Sequence, residues 1–164
     1  MNHDRKNSKR YATVNTDTDD LGNALLALAV INVRSEKNGI DVYDALKMPT
    51  FILNTNVSKD KIPEDFLKNT AKLVAELLKK PISYVVVHVN PDQLMSWGGT
   101  SDPCANAMLG SIGNLGTSEN VKISKALFEH VKDTLGIKPD RMYITYVDLE
   151  RANVGYMGTT FADM

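Results

Sequence analysis

The chain has 164 residues, a formal net charge of -1 and a hydrophobic share of 43%. That length suits one domain with a tail, and that share supports a real core. The near-zero charge points away from nucleic acid or an anionic membrane as partner. The single cysteine, Cys104, excludes an internal disulfide and is compatible with a reducing compartment.

Residues 1–20 are polar and charged without periodicity, and read as disordered. From Asp19 or Asp20 to about Arg34, Leu21, Leu25, Leu28 and Ala29 recur at helical spacing, with an Asp available as N-cap. This region is too short and too interrupted, by Asn23 and Asn32, for the ~20 apolar residues of a membrane span. It also lies too far into the chain for a secretory signal, so neither membrane insertion nor a conventional signal peptide is expected. Gly39 breaks the pattern, and Ile40 to Lys47 is a short further segment. Residues 1–48 thus form an extension with helical spacing around 20–34. They are either dispensable, lying upstream of the working start, or a regulatory pro-segment or localisation tail.

From Pro49 the chain becomes dense and regular. Phe51 to Val57 predicts a strand, and Pro63-Glu64-Asp65 opens a helix with proline and two acids in its first turn. The inner face of that helix is Phe66, Leu67, Thr70, Leu73, Val74, Leu77 and Leu78, and Pro81 stops it. Tyr84 to Val89 is a β-branched run suited to a central strand. Asn90-Pro91-Asp92 makes a turn, and Trp97 before Gly98-Gly99 a further strand end.

The second half repeats this order. Met108 to Ile112 is a short apolar strand, followed by a loop rich in Gly and Ser over 113–118. A helix then carries Ile123, Ala126, Leu127, His130, Val131 and Leu135 on one face, and Met142 to Val147 is a strand. The Lys-Pro pair at 80–81 recurs at 138–139, with the following strands at the same offset. The pattern is a duplicated β-α-β unit. It predicts an α/β (α+β) domain: a four-stranded sheet with both helices on one face. Its other face, too apolar for water, should be buried by further subunits.

The Met48-Pro49 pair decides the chemistry. With Met48 attached, the Pro49 nitrogen is a tertiary amide with no proton and no basic lone pair. Freed, it is a secondary amine whose basicity its surroundings can tune. His3, His88 and His130 show no ligand spacing, so no metal is expected. The loop at 113–118 lacks the Lys-Ser/Thr pair of a phosphate cradle.

Residues 49–162 resemble the macrophage migration inhibitory factor family, which includes D-dopachrome tautomerase. The resemblance rests on Pro49-Thr50-Phe51 with Asn54-Thr55-Asn56-Val57, Lys80-Pro81 with Tyr84, and Val87-His88-Val89. It continues through Pro91-Asp92-Gln93-Leu94-Met95, Gly98-Gly99-Thr100-Ser101-Asp102-Pro103-Cys104 and Ser111-Ile112-Gly113. Pro139-Asp140-Arg141, Tyr143-Ile144 and Gly158-Thr159-Thr160-Phe161 complete it. It implies a working domain over 49–164 that forms a homotrimer. It also implies keto–enol tautomerisation of small aromatic 2-keto acids such as phenylpyruvate, without metal or cofactor.

On that resemblance Pro49 is the general base and Lys80 the cation that grips a substrate carboxylate and lowers the amine's basicity. From position alone, Lys80 would be a solvated lysine at a helix C-terminus. Ile112 matches the position whose backbone N–H contacts substrate. Tyr143 matches an aromatic wall from the neighbouring subunit, against an alternative as a strand residue buried in the sheet. Tyr84, Val154 and Phe161 match other pocket-lining positions. Thr145 and Tyr156 depart from the family's Asn and Trp, which bears on substrate preference. Ala107 replaces the second cysteine of a Cys-x-x-Cys pair, so Cys104 is expected to be a plain buried thiol.

The resemblance also implies a cytokine-like ligand of a cell-surface receptor, found in the cytoplasm and secreted without a conventional signal peptide. Asp92 is kept there, but Lys59 replaces the family's Arg and lacks its planar fork. A third expectation is an inactive scaffold or zymogen if residues 1–48 stay attached.

Overall fold

The structure, a computed structural model, describes residues 48–164. The helix expected near 20–34, the disorder expected for 1–20 and His3 lie outside the described residues. The chain divides into two units, Met1–Gly39 and Ile40–Met164, and the described residues belong to the second.

Four strands form one sheet: β1 (Pro49–Thr55), β2 (Val86–Asn90), β3 (Ala105–Ser111) and β4 (Met142–Asp148). Helix α1 (Phe66–Leu78) connects β1 to β2, and α2 (Thr117–Leu135) connects β3 to β4. Both connected pairs run as expected of a duplicated unit: the strand order is β2-β1-β3-β4, with β1–β2 and β3–β4 parallel and the central β1–β3 pair antiparallel. The recurring Lys-Pro pairs also have a structural meaning. A single 3-10 turn feeds the chain into its parallel strand at each: Ile82–Tyr84 directly after the first pair, and Pro139–Arg141 beginning at the proline of the second.

Alternation along β1 sorts the two faces. Phe51, Leu53 and Thr55 are buried while Thr50, Ile52 and Asn54 are partly open. The buried set joins Ala105, Ala107 and Leu109 of β3, and the helices cover it with Phe66, Val74, Leu78, Ile123, Leu127 and Val131. Leu67, expected on the inner face of α1, is 47% exposed and lies off that face, whereas Ala75 is buried. The apolar stripe of α1 is narrower than the spacing suggested. On the other sheet face stand Ile52, Val86, Met108 and Tyr143, and the last three are exposed in the single chain.

Observed strand limits differ from expectation at their ends. β1 begins at Pro49, because a strand's first residue tolerates the missing N–H. β2 begins only at Val86, because Ile82–Tyr84 is wound into the 3-10 turn. Trp97 makes a single antiparallel bridge to Thr100. A short hairpin, β5 (Gly155–Tyr156) and β6 (Thr159–Thr160), follows β4 and had not been expected. Its signal was Met157-Gly158, where both residues take positive φ, 50° and 83°, as a two-residue hairpin turn of the primed type requires.

Candidate active site

Three elements converge on the Pro49 end of the sheet. Pro49 is buried and sits opposite Ser111 in the antiparallel β1–β3 register. Beyond Ser111 the chain continues to Ile112, and Gly113 then takes φ 70° as the strand turns away. The Gly113 amide donates to the Asp148 carboxylate at 2.8 Å, and the Leu149 amide donates to the Ser111 carbonyl at 2.8 Å. These bonds fix the position of Ile112 from both sides.

The second element is the C-terminus of α1. Lys79 takes the left-handed conformation with φ 52°, and the Lys80 amide donates back to the Ala75 carbonyl at 2.9 Å. This turn is a Schellman-type cap, built without the usual glycine. It ends the helix before Pro81 is reached and folds the chain back. Lys80 is only 5% exposed as a result, and its Nζ donates to the Ile112 carbonyl at 3.3 Å. The solvated alternative for Lys80 is therefore overturned.

The third element is the β5–β6 hairpin. It carries Val154 and Phe161, which join Ile112 in a small apolar cluster at 8%, 2% and 3% exposure. The hairpin is held down where the Phe161 amide donates to the Val154 carbonyl at 3.1 Å and Arg151 Nε donates to the Phe161 carbonyl at 3.0 Å. Met48, Tyr84 and Leu149 pack against the cluster. Tyr156 stacks on Phe161 with ring centroids 5.4 Å apart, and meets Tyr84 edge-on at 5.8 Å. An apolar, aromatic-rimmed cluster beside one buried ammonium brings together the groups that a site for a small aromatic acid requires.

Six of the residues singled out from the sequence thus gather beside Pro49: Lys80, Ile112, Tyr84, Val154, Tyr156 and Phe161. Tyr143 and Thr145 do not. Tyr143 is level with Asn106, five positions along β3 from the Ser111 that faces Pro49. At about 3.3 Å per residue that is roughly 16 Å along the sheet, with a further strand spacing to cross. Tyr143 is 68% exposed on the open face and packs on Trp97 with centroids 4.4 Å apart, so it is not buried within its own sheet.

Ser111 was not singled out for its side chain. Its Oγ is fully buried and makes no hydrogen bond. Cys104 is a free, fully buried thiol, as expected. Among the described residues, no group of three or more His, Cys, Asp and Glu side chains is placed to hold a metal.

The macrophage migration inhibitory factor (MIF) family matches residues 48–162. The chain belongs to this family. Macrophage migration inhibitory factor of Rattus norvegicus is 50% identical over 115 residues, which are 70% of this chain and 100% of that protein. A solved structure of the Trichinella spiralis factor superposes with a TM-score of 0.67 at 47% identity, over 68% of this chain and 98% of that one. A homologue from Prochlorococcus marinus gives 0.64 at 29% identity, over 68% and 98%. The chain is thus a MIF-type protein with the tautomerase fold, and the matched stretch begins at Met48, directly before the proline.

Proposed function

We propose that this protein is a keto–enol tautomerase for small aromatic 2-keto acids, with the Pro49 amine as general base once its bond to Met48 is cut. What supports this is Lys80, a nearly buried cation aimed at Ile112, beside an apolar aromatic cluster at the Pro49 end of the sheet. An α-amino group titrates near ~8 in water. Apolar surroundings and a nearby ammonium both disfavour its protonated form and bring it toward neutral pH. The free amine takes a proton from the carbon beside the carbonyl, and the electron pair moves onto the carbonyl oxygen. The enolate oxygen then receives the proton back from the protonated amine. Lys80 pairs with the carboxylate, the Ile112 backbone N–H contacts the substrate, and Tyr84, Val154, Tyr156 and Phe161 enclose its ring.

Within a single chain Tyr143 and Thr145 are too distant to join these residues. On this reading the same two residues of a neighbouring subunit in a homotrimer complete the site. On this reading residues 49–164 are the working domain, 1–48 is an extension that blocks it while attached, and no cofactor takes part.

The decisive experiment compares chains beginning at Pro49 and at Met1, following enol formation from phenylpyruvate by absorbance. The first turns over. The second falls by at least the roughly 10²-fold that a positioned general base contributes. Equal turnover by a chain shown by mass to retain Met1 overturns the proline mechanism.

A second reading, a cytokine-like ligand of a cell-surface receptor, is favoured by the name of the rat relative and by exposed Asp92 and Lys59. It places the protein both in the cytoplasm and outside the cell. Pro49→Gly separates the two readings, abolishing turnover while leaving receptor binding intact.

A further inference from the structure

Met48 is a half-buried side chain outside the main core. Its partners are the cluster of Ile112, Val154 and Phe161, with Tyr84 also packed there. These are the residues that would enclose a substrate ring. Met48 is therefore more than the acyl group on Pro49. An unbranched thioether side chain is well suited to such a place, because it adapts to irregular apolar space and packs well on aromatic rings. Being held one bond from Pro49, it competes with free ligand at the high effective concentration of an intramolecular group.

We infer that Met48 is a built-in occupant of the pocket, so that the uncut chain is blocked twice at one bond. Acylation removes the base, and the Met48 side chain separately excludes the substrate's apolar group. Hydrolysis of the Met48–Pro49 bond removes both restraints together: water supplies hydroxyl to the Met48 carboxyl and a proton to the Pro49 nitrogen, and the departing segment carries Met48 away from the cluster. This regulation rests on that cluster being the place where substrate binds.

The two restraints can be told apart without catalysis. Phenylpyruvate binding is measured by ligand-observed NMR on the full chain, on the full chain carrying Met48→Ala, and on the chain beginning at Pro49. Neither full chain turns the ligand over, because Pro49 is acylated in both. Met48→Ala in the full chain is expected to tighten binding at least tenfold over the unsubstituted full chain. Equal binding by the two would overturn the inference. A Pro49-initiated chain that binds but does not turn over would defeat the tautomerase reading and leave this comparison standing.

A measurement independent of any added ligand is peroxide oxidation of the full chain, read residue by residue by mass spectrometry. Met48 is expected to oxidise several-fold more slowly than Met157, which is 81% exposed on the hairpin turn. Matching rates would overturn the inference even if no chain bound phenylpyruvate.

Discussion

Ser111 and Lys80 both adjoin Ile112, Ser111 along the chain and Lys80 through its Nζ, yet they have opposite hydrogen-bonding situations. Ser111 Oγ is buried without a partner, so its hydroxyl carries a desolvation cost with nothing to offset it. Ser111→Ala should leave the stability of the uncut chain unchanged or raise it by up to about 1 kcal/mol, read as the denaturant midpoint. A clear loss would show that the hydroxyl has a partner after all. Lys80 is the reverse, a buried cation with a carbonyl acceptor. If it holds the substrate carboxylate, Lys80→Ala in a chain beginning at Pro49 should cost about 1.5–3 kcal/mol, roughly tenfold to a hundredfold in KM for phenylpyruvate. An unchanged KM would remove Lys80 from the binding role. Sequence position alone could not decide this residue, because a lysine at the end of a helix is ordinarily solvated. The deciding event is the left-handed turn at Lys79, which the local sequence does not advertise, since lysine is a poor residue for that conformation.

That turn matters for the helix as a unit. Lys79 holds φ 52° with a side chain that disfavours it. Lys79→Gly should stabilise the protein by about 1 kcal/mol, since glycine enters this region freely. A fall in melting temperature would mean that the Lys79 side chain contributes packing or charge beyond its backbone role. The helices also share a titratable contact. His130 of α2 stacks on Phe66 of α1 with centroids 5.1 Å apart, and its Nε2 lies 2.9 Å from the Thr70 hydroxyl. Thr70 Oγ1 already donates to the Phe66 carbonyl at 2.7 Å, so the imidazole is the donor to it. Burial holds His130 below its ordinary value of 6.5, opposed by the charges of Asp133 and Asp65. The unfolded chain therefore takes up this proton first on acidification. The resulting stability is present above the ordinary value and is lost as pH falls through the lowered folded one. Melting temperature should drop as pH falls below that ordinary value, and His130→Gln should flatten that part of the curve. An identical slope in the variant would assign the effect elsewhere.

At the scale of the molecule, the sheet face that the helices leave uncovered is mixed in character. Val86, Met108 and Tyr143 are exposed on it in the single chain, while the sequence at Asn54, His88, Asn90 and Asn106 makes it more polar than a closed core. Asn90 Nδ2 donates to Asn54 Oδ1 at 2.8 Å and Asn54 Nδ2 donates to the Asn106 carbonyl at 3.3 Å, a polar ladder across three strands. The expectation that this face is too apolar for water is corrected accordingly: amide and imidazole groups alternate with the apolar ones across it. A closed ring of identical chains would bury its edges. Sedimentation of the Pro49-initiated chain should give about three times its own mass, and a monomer at micromolar concentration would leave Tyr143 and Thr145 with no route to the site.

Features that depend on local pattern were legible in the sequence alone. Apolar periodicity placed both helices and the four main strands, and the repeated Lys-Pro pairs revealed the duplication that sets the sheet order. The Met48-Pro49 pair stated the chemical question, because whether that nitrogen is an amide or an amine follows from covalent structure alone. Family resemblance supplied the candidate residues. Tertiary structure decided which of them meet. Lys80 is buried only because a left-handed cap turns the chain back onto Ile112. Val154, Tyr156 and Phe161 reach that place only because a two-residue turn folds the C-terminal segment over the end of β3. Met48 finds the same cluster because β1 begins beside it. Distances between residues far apart in sequence are set by the register of β1 against β3 and of β3 against β4, and no local pattern encodes that register. For the same physical reason Tyr143 and Thr145, near the others by resemblance, stand far from Pro49 within one chain.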